Sequence, residues 1–387
     1  MGTILDYLKE YGDYTFAERP LSEVDSLVLC QFSYLKFDGM VPGIREKDHF
    51  VTMQELAEHA DYDSLYADER YRQDNTALFR GMLSASRFNT LQIMHYVNQI
   101  DTKKEMQFSA VTFRLSNGGY YVAFRGTDET IVGWKEDLNL AFSNPTPGQL
   151  MSVEYLEQVA EHISGHFYVG GHSKGGNLAT YASMFAEKQV RDRIMKVFDH
   201  DGPGFRPEIK QKGAYGEIED RICKTIPHSS LVGMLLYSNG KYQVVESKSI
   251  GLAQHNPYTW IVKDGEFHKV NQLYAGRRFI DETMNQWILS LSQEQVHTFV
   301  DTLYEVVLSS ETDNLIDFTA NGFKSIQRIT AALKAIDEES ARAILQIMRA
   351  LFDMASINAR EIVKSKKESD RGKFEEGILQ LEQLFKK

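Results

Sequence analysis

The segment Gly170-Gly171-His172-Ser173-Lys174-Gly175-Gly176-Asn177-Leu178-Ala179 holds a G-x-S-x-G pattern, with Gly171, Ser173 and Gly175 at its fixed positions. The bare pattern arises by chance in roughly one chain in ten of this length, so its surroundings carry the reading. A short apolar run, Phe167-Tyr168-Val169, precedes it, and a helix-compatible run, Asn177 to Ala186, follows. A strand that turns abruptly into a helix is the context of a nucleophile elbow, where a serine stands exposed above a sheet. The glycines suit a turn so tight that a Cβ on either side would collide with a neighbouring strand or helix.

Working outward, Gln107 to Leu115 alternates Phe108, Ala110 and Thr112 against Val111, Phe113 and Leu115. Asn117-Gly118-Gly119 tolerates the positive φ of a tight turn, and Tyr120 to Phe124 returns as a second strand, which predicts a hairpin. Leu156, Val159 and Ile163 mark a helix that Gly165 ends, and Met195 to Phe198 is a further short strand. Leu231 to Tyr237, Ser238-Asn239-Gly240 and Tyr242 to Glu246 predict a second hairpin. The first hundred residues read as mostly helical. Val24, Leu27, Val28 and Phe32 keep helical spacing, and Asn89 is expected to cap a helix carrying Leu91, Ile93, Met94 and Val97.

Beyond Arg277 strand signals vanish. Ile344, Ile347, Met348, Leu351 and Phe352 follow a helical stripe, and Leu379, Leu381 and Leu384 lie in a last amphipathic stretch. The expected fold is α/β, an α/β-hydrolase-like mixed sheet flanked by helices, with a C-terminal all-helical extension. Residues 1–275 form the first domain and 276–387 the second. Those C-terminal helices are read as core, lid, dimerisation arm or partner-docking bundle.

The 387 residues, 42% apolar and 25% charged, have the composition of an ordinary globular protein. A net charge of −11, from 43 basic and 54 acidic residues, speaks against nucleic acid and anionic membrane as general partners. Cys30 and Cys223 suffice for neither a disulfide framework nor a zinc site, and no metal or cofactor is called for. Met1 to Glu10 lacks the pattern of a secretory leader, Asp6 stands where a myristoylation motif wants Ser or Thr, and no apolar run approaches 18 residues. A cytoplasmic protein without a transmembrane segment is expected.

Downstream of Ser173 the histidines are His200, His228, His255, His268 and His297. His255 lies in the turn-rich Gln254-His255-Asn256-Pro257-Tyr258-Thr259-Trp260, from which an imidazole can swing over a serine. Phe198-Asp199-His200-Asp201-Gly202-Pro203-Gly204-Phe205 offers two carboxylates at the end of a strand, the edge where open α/β sheets place their ligands. Asp201 is the first choice of acid and Asp199 the second; either also suits a turn cap. Serine, acid, histidine is the chain order of α/β-hydrolases. In that chemistry an imidazole takes the hydroxyl proton, a carboxylate fixes its tautomer, and backbone N–H groups donate to the oxyanion. The Lys174 N–H and the loop Phe124-Arg125-Gly126-Thr127-Asp128 are the candidate donors.

Ala123-Phe124-Arg125-Gly126-Thr127, then Trp134, Asp137 and Leu138, then Gly171-His172-Ser173-Lys174-Gly175-Gly176, resemble the class 3 lipases. Closer still is the resemblance to a bacterial branch of α/β-hydrolase-like proteins. It rests on the lysine after the serine, Asp201 to Phe205, Gln254 to Trp260, and Glu23 to Leu29, and covers roughly residues 20 to 262. The resemblance implies Ser173 as nucleophile, His255 as base and Thr127 as oxyanion donor through its N–H, with its hydroxyl as a further donor. The class 3 acid follows the next strand, where this chain reads Ser229-Ser230-Leu231-Val232-Gly233. The acid has therefore moved one strand earlier, or the triad is incomplete. Arg125 and Asp137 suit an ion pair pinning the Thr127 loop, and Trp134 a packing role. The Lys174 side chain is expected near the site mouth, facing anionic head groups, or else solvated or ion-paired.

Two functions remain: a serine hydrolase of lipid-like acyl esters, or a binding or scaffold protein on a hydrolase fold with a crippled site. A thioesterase or acyltransferase would use the same machinery as the first. The expected partners are a small-molecule acyl ester and, through the C-terminal helices, a second copy or another protein.

Overall fold

The alternation predicted between residues 107 and 124 is the seam along which two layers meet. A computed structural model describes residues 1–67, 71–127, 136, 145–228, 230, 232–236, 241–249 and 251–271. Within it β1 (Val51–Thr52), β2 (Gln92–Asp101), β3 (Met106–Arg114), β4 (Tyr120–Phe124), β5 (Phe167–His172), β6 (Ile194–His200), β7 (Ile222–Pro227) and β8 (Gln243–Val245) form one eight-stranded sheet in chain order. Pairing is antiparallel from β1 to β4 and parallel from β4 to β8. This is the α/β-hydrolase-like mixed sheet, antiparallel along its β1 edge and parallel at its β8 edge.

On β3 and β4, Val111, Phe113, Tyr121 and Ala123 enter one core while Phe108, Ala110, Val122 and Phe124 enter the other. The first core is closed by α1 (Ile4–Tyr11), α2 (Glu23–Phe32) and, after the short α3 (Met53–His59) and α4 (Tyr62–Leu65), by α5 (Arg72–Ser84). The second is closed by α6 (Pro147–His162) and α7 (Lys174–Phe185), through Leu156, Val159, Leu178 and Ala182. A sheet covered on both faces explains why β5 and β6 read as short apolar runs rather than as alternating strands.

Two expectations are corrected. Residues 91 to 97 lie largely in β2, not in a helix. A bulge shifts the register between Met94 and Val97, where His95 adopts a φ of 56°. Ile93 and Tyr96 therefore share one core although three apart, a spacing that imitates a helix. Among the described residues the second hairpin is not formed either: β8 pairs in parallel with β7, and Val232–Met234 is a 3-10 turn. The Gly233 N–H serves the Asp201 carboxylate instead of a ladder. β7 escapes a pattern reading because its centre is Lys224, which is buried.

Asp128, Trp134, Asp137, Leu138, Ser229, Leu231, residues 237–240, His297, the boundary at 275 and the C-terminal helices lie outside the described residues. The chain divides into two units, Met1–Lys248 with Gln254–Asn285, and Ser249–Ala253 with Gln286–Lys387; the sheet belongs to the first. No helix among the described residues is long and apolar enough to cross a membrane.

Candidate active site

Ser173 sits where β5 becomes α7, with φ 59° and ψ −131°, a left-handed conformation that L-residues adopt only under constraint. The constraint is visible at the flanking glycines. A Cβ on Gly171 would fall 2.1 Å from the Gly175 carbonyl carbon, and one on Gly175 would fall 2.1 Å from the Phe124 oxygen. Elbow, helix and β4 thus touch backbone to backbone. The Ser173 N–H donates to the His200 carbonyl at 2.9 Å, tying the elbow to β6.

The hydroxyl of Ser173 is 2.9 Å from His255 Nε2, and His255 Nδ1 is 2.7 Å from Asp201 Oδ2. An ionised carboxylate only accepts, so Nδ1 carries the proton and Nε2 presents its lone pair to the serine. The arrangement can abstract the hydroxyl proton. Asp201 is buried, while the His255 side chain keeps 24% of its surface exposed, enough for a reactant to meet the imidazole.

Several hydrogen bonds shape the loop of His255. The Trp260 indole N–H donates to the Gln254 carbonyl at 2.7 Å, the Asn256 side chain accepts from the Tyr258 N–H at 3.1 Å, and the Tyr258 hydroxyl donates to Asn75 at 2.6 Å. Asp201 follows β6 with a φ of 56°, held by its N–H on the Thr225 carbonyl at 2.8 Å. Its Oδ1 accepts the Gly233 N–H at 3.1 Å and the Ser230 hydroxyl. Ser230, the residue standing where the resemblance calls for an acid, is thereby a donor to the carboxylate of the preceding strand.

Asp199, the second candidate, faces elsewhere. It accepts from Lys224 at 2.7 Å and from the Gly202 N–H at 2.8 Å. Burial raises its carboxyl above the usual range, opposed by the Lys224 ammonium. Thr127 is buried beyond the end of β4. The neighbouring Gly126 is pressed so close that a Cβ there would lie 2.7 Å from the His172 carbonyl oxygen, which sets the Thr127 loop against the elbow. Arg125 donates to Asn98 at 3.0 Å; the partner expected for it, Asp137, lies outside the described residues.

Lys174 departs from the expectation of a side chain at the mouth. Its ammonium is buried and donates to the Gln107 carbonyl at 2.7 Å, to Gln107 Oε1 at 2.6 Å and to Glu136 at 2.9 Å. Three acceptors satisfy its three donors, so of the three readings the ion pair holds. Its backbone N–H, at the first position of α7, is one of those a helix leaves without an intrahelical acceptor. Sequence reasoning missed Tyr34 and His172, which pack around the His255 loop. The histidine inside the motif was the only signal, and Tyr34 had none.

A family model described as Mbeg1-like matches residues 82–305. No curated protein matches the chain. Among solved structures the chain is similar to the native Rhizomucor miehei lipase propeptide complex, at 18% identity and a TM-score of 0.33 over 51% of this chain and 70% of that one. It is also similar to M37 lipase, at 12% identity and a TM-score of 0.35 over 66% of this chain and 83% of that one.

Proposed function

The chain belongs to the Mbeg1-like family, and from that premise and the geometry around Ser173 we propose that it is a serine hydrolase of carboxylic, lipid-like acyl esters. The observation that carries this reading is the row of hydrogen bonds from Ser173 through His255 to Asp201. Within the family we read the chain as part of a bacterial branch resembling class 3 lipases.

In the proposed reaction His255 Nε2 takes the Ser173 proton as Oγ attacks the ester carbonyl. Negative charge moves to the carbonyl oxygen, where the N–H groups of Lys174 and Thr127 donate to it. His255 then protonates the leaving alkoxide, the C–O bond breaks, and an acyl group remains on Ser173. Water repeats the sequence on that acyl-enzyme and releases the acid. Asp201 holds the imidazole tautomer throughout and offsets the charge of the imidazolium. Thioester hydrolysis and acyl transfer would run on the same groups.

The alternative, a catalytically weak or inactive binding or scaffold protein on the hydrolase fold, rests on the serine at position 230 and on the helical pattern of the C-terminal third; the contact of Ser230 with Asp201 counts against it. Turnover of short p-nitrophenyl esters separates the two. Ser173→Ala is expected to abolish turnover and His255→Ala to lower kcat by about 10³-fold or more. Undiminished turnover by Ser173→Ala would overturn the assignment.

A further inference from the structure

His172 is the last residue of β5, immediately before Ser173. Its ring is buried, and its Nε2 lies 2.9 Å from the backbone carbonyl of His255. A carbonyl only accepts, so Nε2 carries the ring proton and Nδ1 is the accepting nitrogen. Nδ1 faces the hydroxyl of Tyr34 at 3.2 Å. The His172 ring also lies against that of His255, centroids 4.6 Å apart and planes inclined at 34°, with the edge of Trp260 on it. Tyr34 is buried just beyond α2. Its hydroxyl is so close to Gly126 that a Cβ there would lie 2.1 Å away.

These contacts join the end of β5, the segment after α2 and the main chain at His255. His255 ends a short 3-10 turn, Gly251–His255, in the connection between β8 and the end of the sheet domain, and such connections are softer than the strands they join. Its two ring nitrogens face Ser173 and Asp201, so both ring contacts change strength as the imidazole gains and loses a proton in the proposed reaction. The bond from His172 to the His255 carbonyl is different. It grips the main chain, and its donor is rooted in the same strand end that sets Ser173.

Building on the proposed hydrolase reading, we infer that His172, oriented by Tyr34, is a positioning residue that holds the His255 main chain so that the imidazole stays in line with the Ser173 hydroxyl. It acts through His255 and takes up no proton in the proposed reaction. A merely space-filling histidine would need its bulk; a positioning one needs its donor at Nε2. The side-chain amide of glutamine places an N–H at nearly the reach of histidine Nε2, whereas leucine keeps bulk and removes the donor.

The test compares the full chain with His172→Leu, His172→Gln, Tyr34→Phe and Ser173→Ala, scored by ester turnover, by the rate of labelling with a fluorophosphonate probe, and by Tm. In His172→Leu, kcat and the labelling rate are expected to fall together by about 10- to 100-fold, with KM within about two-fold. His172→Gln is expected to regain most of that loss at an equal Tm, and Tyr34→Phe to lose about three- to ten-fold in kcat alone. The far-downfield proton resonance of the Asp201–His255 hydrogen bond should sharpen in the wild type and His172→Gln and broaden in His172→Leu. If His172→Leu does not fold, Tyr34→Phe, which deletes one hydroxyl, carries the comparison.

Wild-type labelling that Ser173→Ala removes, together with unchanged kcat in His172→Leu, would overturn the positioning role and leave the hydrolase reading standing. Equal losses in the leucine and glutamine variants that track Tm would overturn it too, as a packing effect. A wild type that neither labels nor turns over ester would remove the hydrolase reading, and this inference with it.

Discussion

Ser230 shows how much one hydroxyl can carry at the residue scale. It donates to Asp201 Oδ1 and accepts the Gly233 N–H at 3.0 Å, so the carboxylate that faces His255 is held from behind. Removing the hydroxyl leaves Asp201 with the Gly233 N–H and His255 as its remaining donors among these. Ser230→Ala should lower kcat by about ten-fold with little change in KM, while Ser230→Thr, which keeps the hydroxyl, should retain most activity. Steady-state kinetics on a short ester checks this, and an unchanged kcat in Ser230→Ala would remove Ser230 from the account. The sequence marked this place only by a missing acid. That serine and Asp201 share one site depends on β6 and β7 lying side by side, which no local pattern near residue 230 records.

At the scale of elements, the elbow and the hairpin were legible because each is a local event. A turn that excludes Cβ atoms demands glycine at Gly171 and Gly175, and a strand between two cores alternates, as Val111 and Phe113 do against Phe108 and Ala110. β2 was not legible, since its bulge at His95 breaks the two-residue period. Neither was β7, since a buried Lys224 paired with Asp199 reads as a surface residue until its partner is known. Lys174 misled for the same reason. Its pair with Glu136, both side chains nearly inaccessible, joins the start of α7 to the Gly148 N–H of α6 through the second carboxylate oxygen at 2.9 Å. Lys174→Met would leave Glu136 charged, buried and short of its cation, at a cost of about 3–5 kcal/mol. A urea midpoint lowered accordingly, and partly restored by adding Glu136→Gln, is the expected outcome. An unaltered midpoint would contradict a buried pair.

Across the whole molecule the buried histidines set a direction for acid sensitivity. Burial pushes His200 down to about 3 from its ordinary 6.5, the Lys224 ammonium adding to the effect. His95, His162 and His228 are also lowered, each chiefly by burial. Below pH 6.5 the unfolded chain takes up protons at these groups that the folded chain refuses, so stability is full above that pH and falls as pH drops toward the folded values. Chemical denaturation should therefore show a midpoint that declines between pH 7 and pH 5, with a shallower decline in His200→Gln, which keeps a hydrogen-bonding group for Ser26. A midpoint independent of pH over that range would contradict the burial of neutral imidazoles. The same His200 lies under the site: its carbonyl accepts the Ser173 N–H, and its ring meets Ser26 of α2 at 2.8 Å. The helical layer preceding the sheet is thus built into the platform of the elbow, although its sequence carries no chemical motif.

In the proposed chemistry Ser173 is a nucleophile activated by His255 and Asp201. This assignment is tested most directly by reacting the full chain with a fluorophosphonate and locating the adduct by peptide mass mapping. The expected result is a single adduct, on Ser173, formed much more slowly in His255→Ala and in Asp201→Asn. No adduct on the folded wild type, or one on another residue that persists in Ser173→Ala, would contradict it.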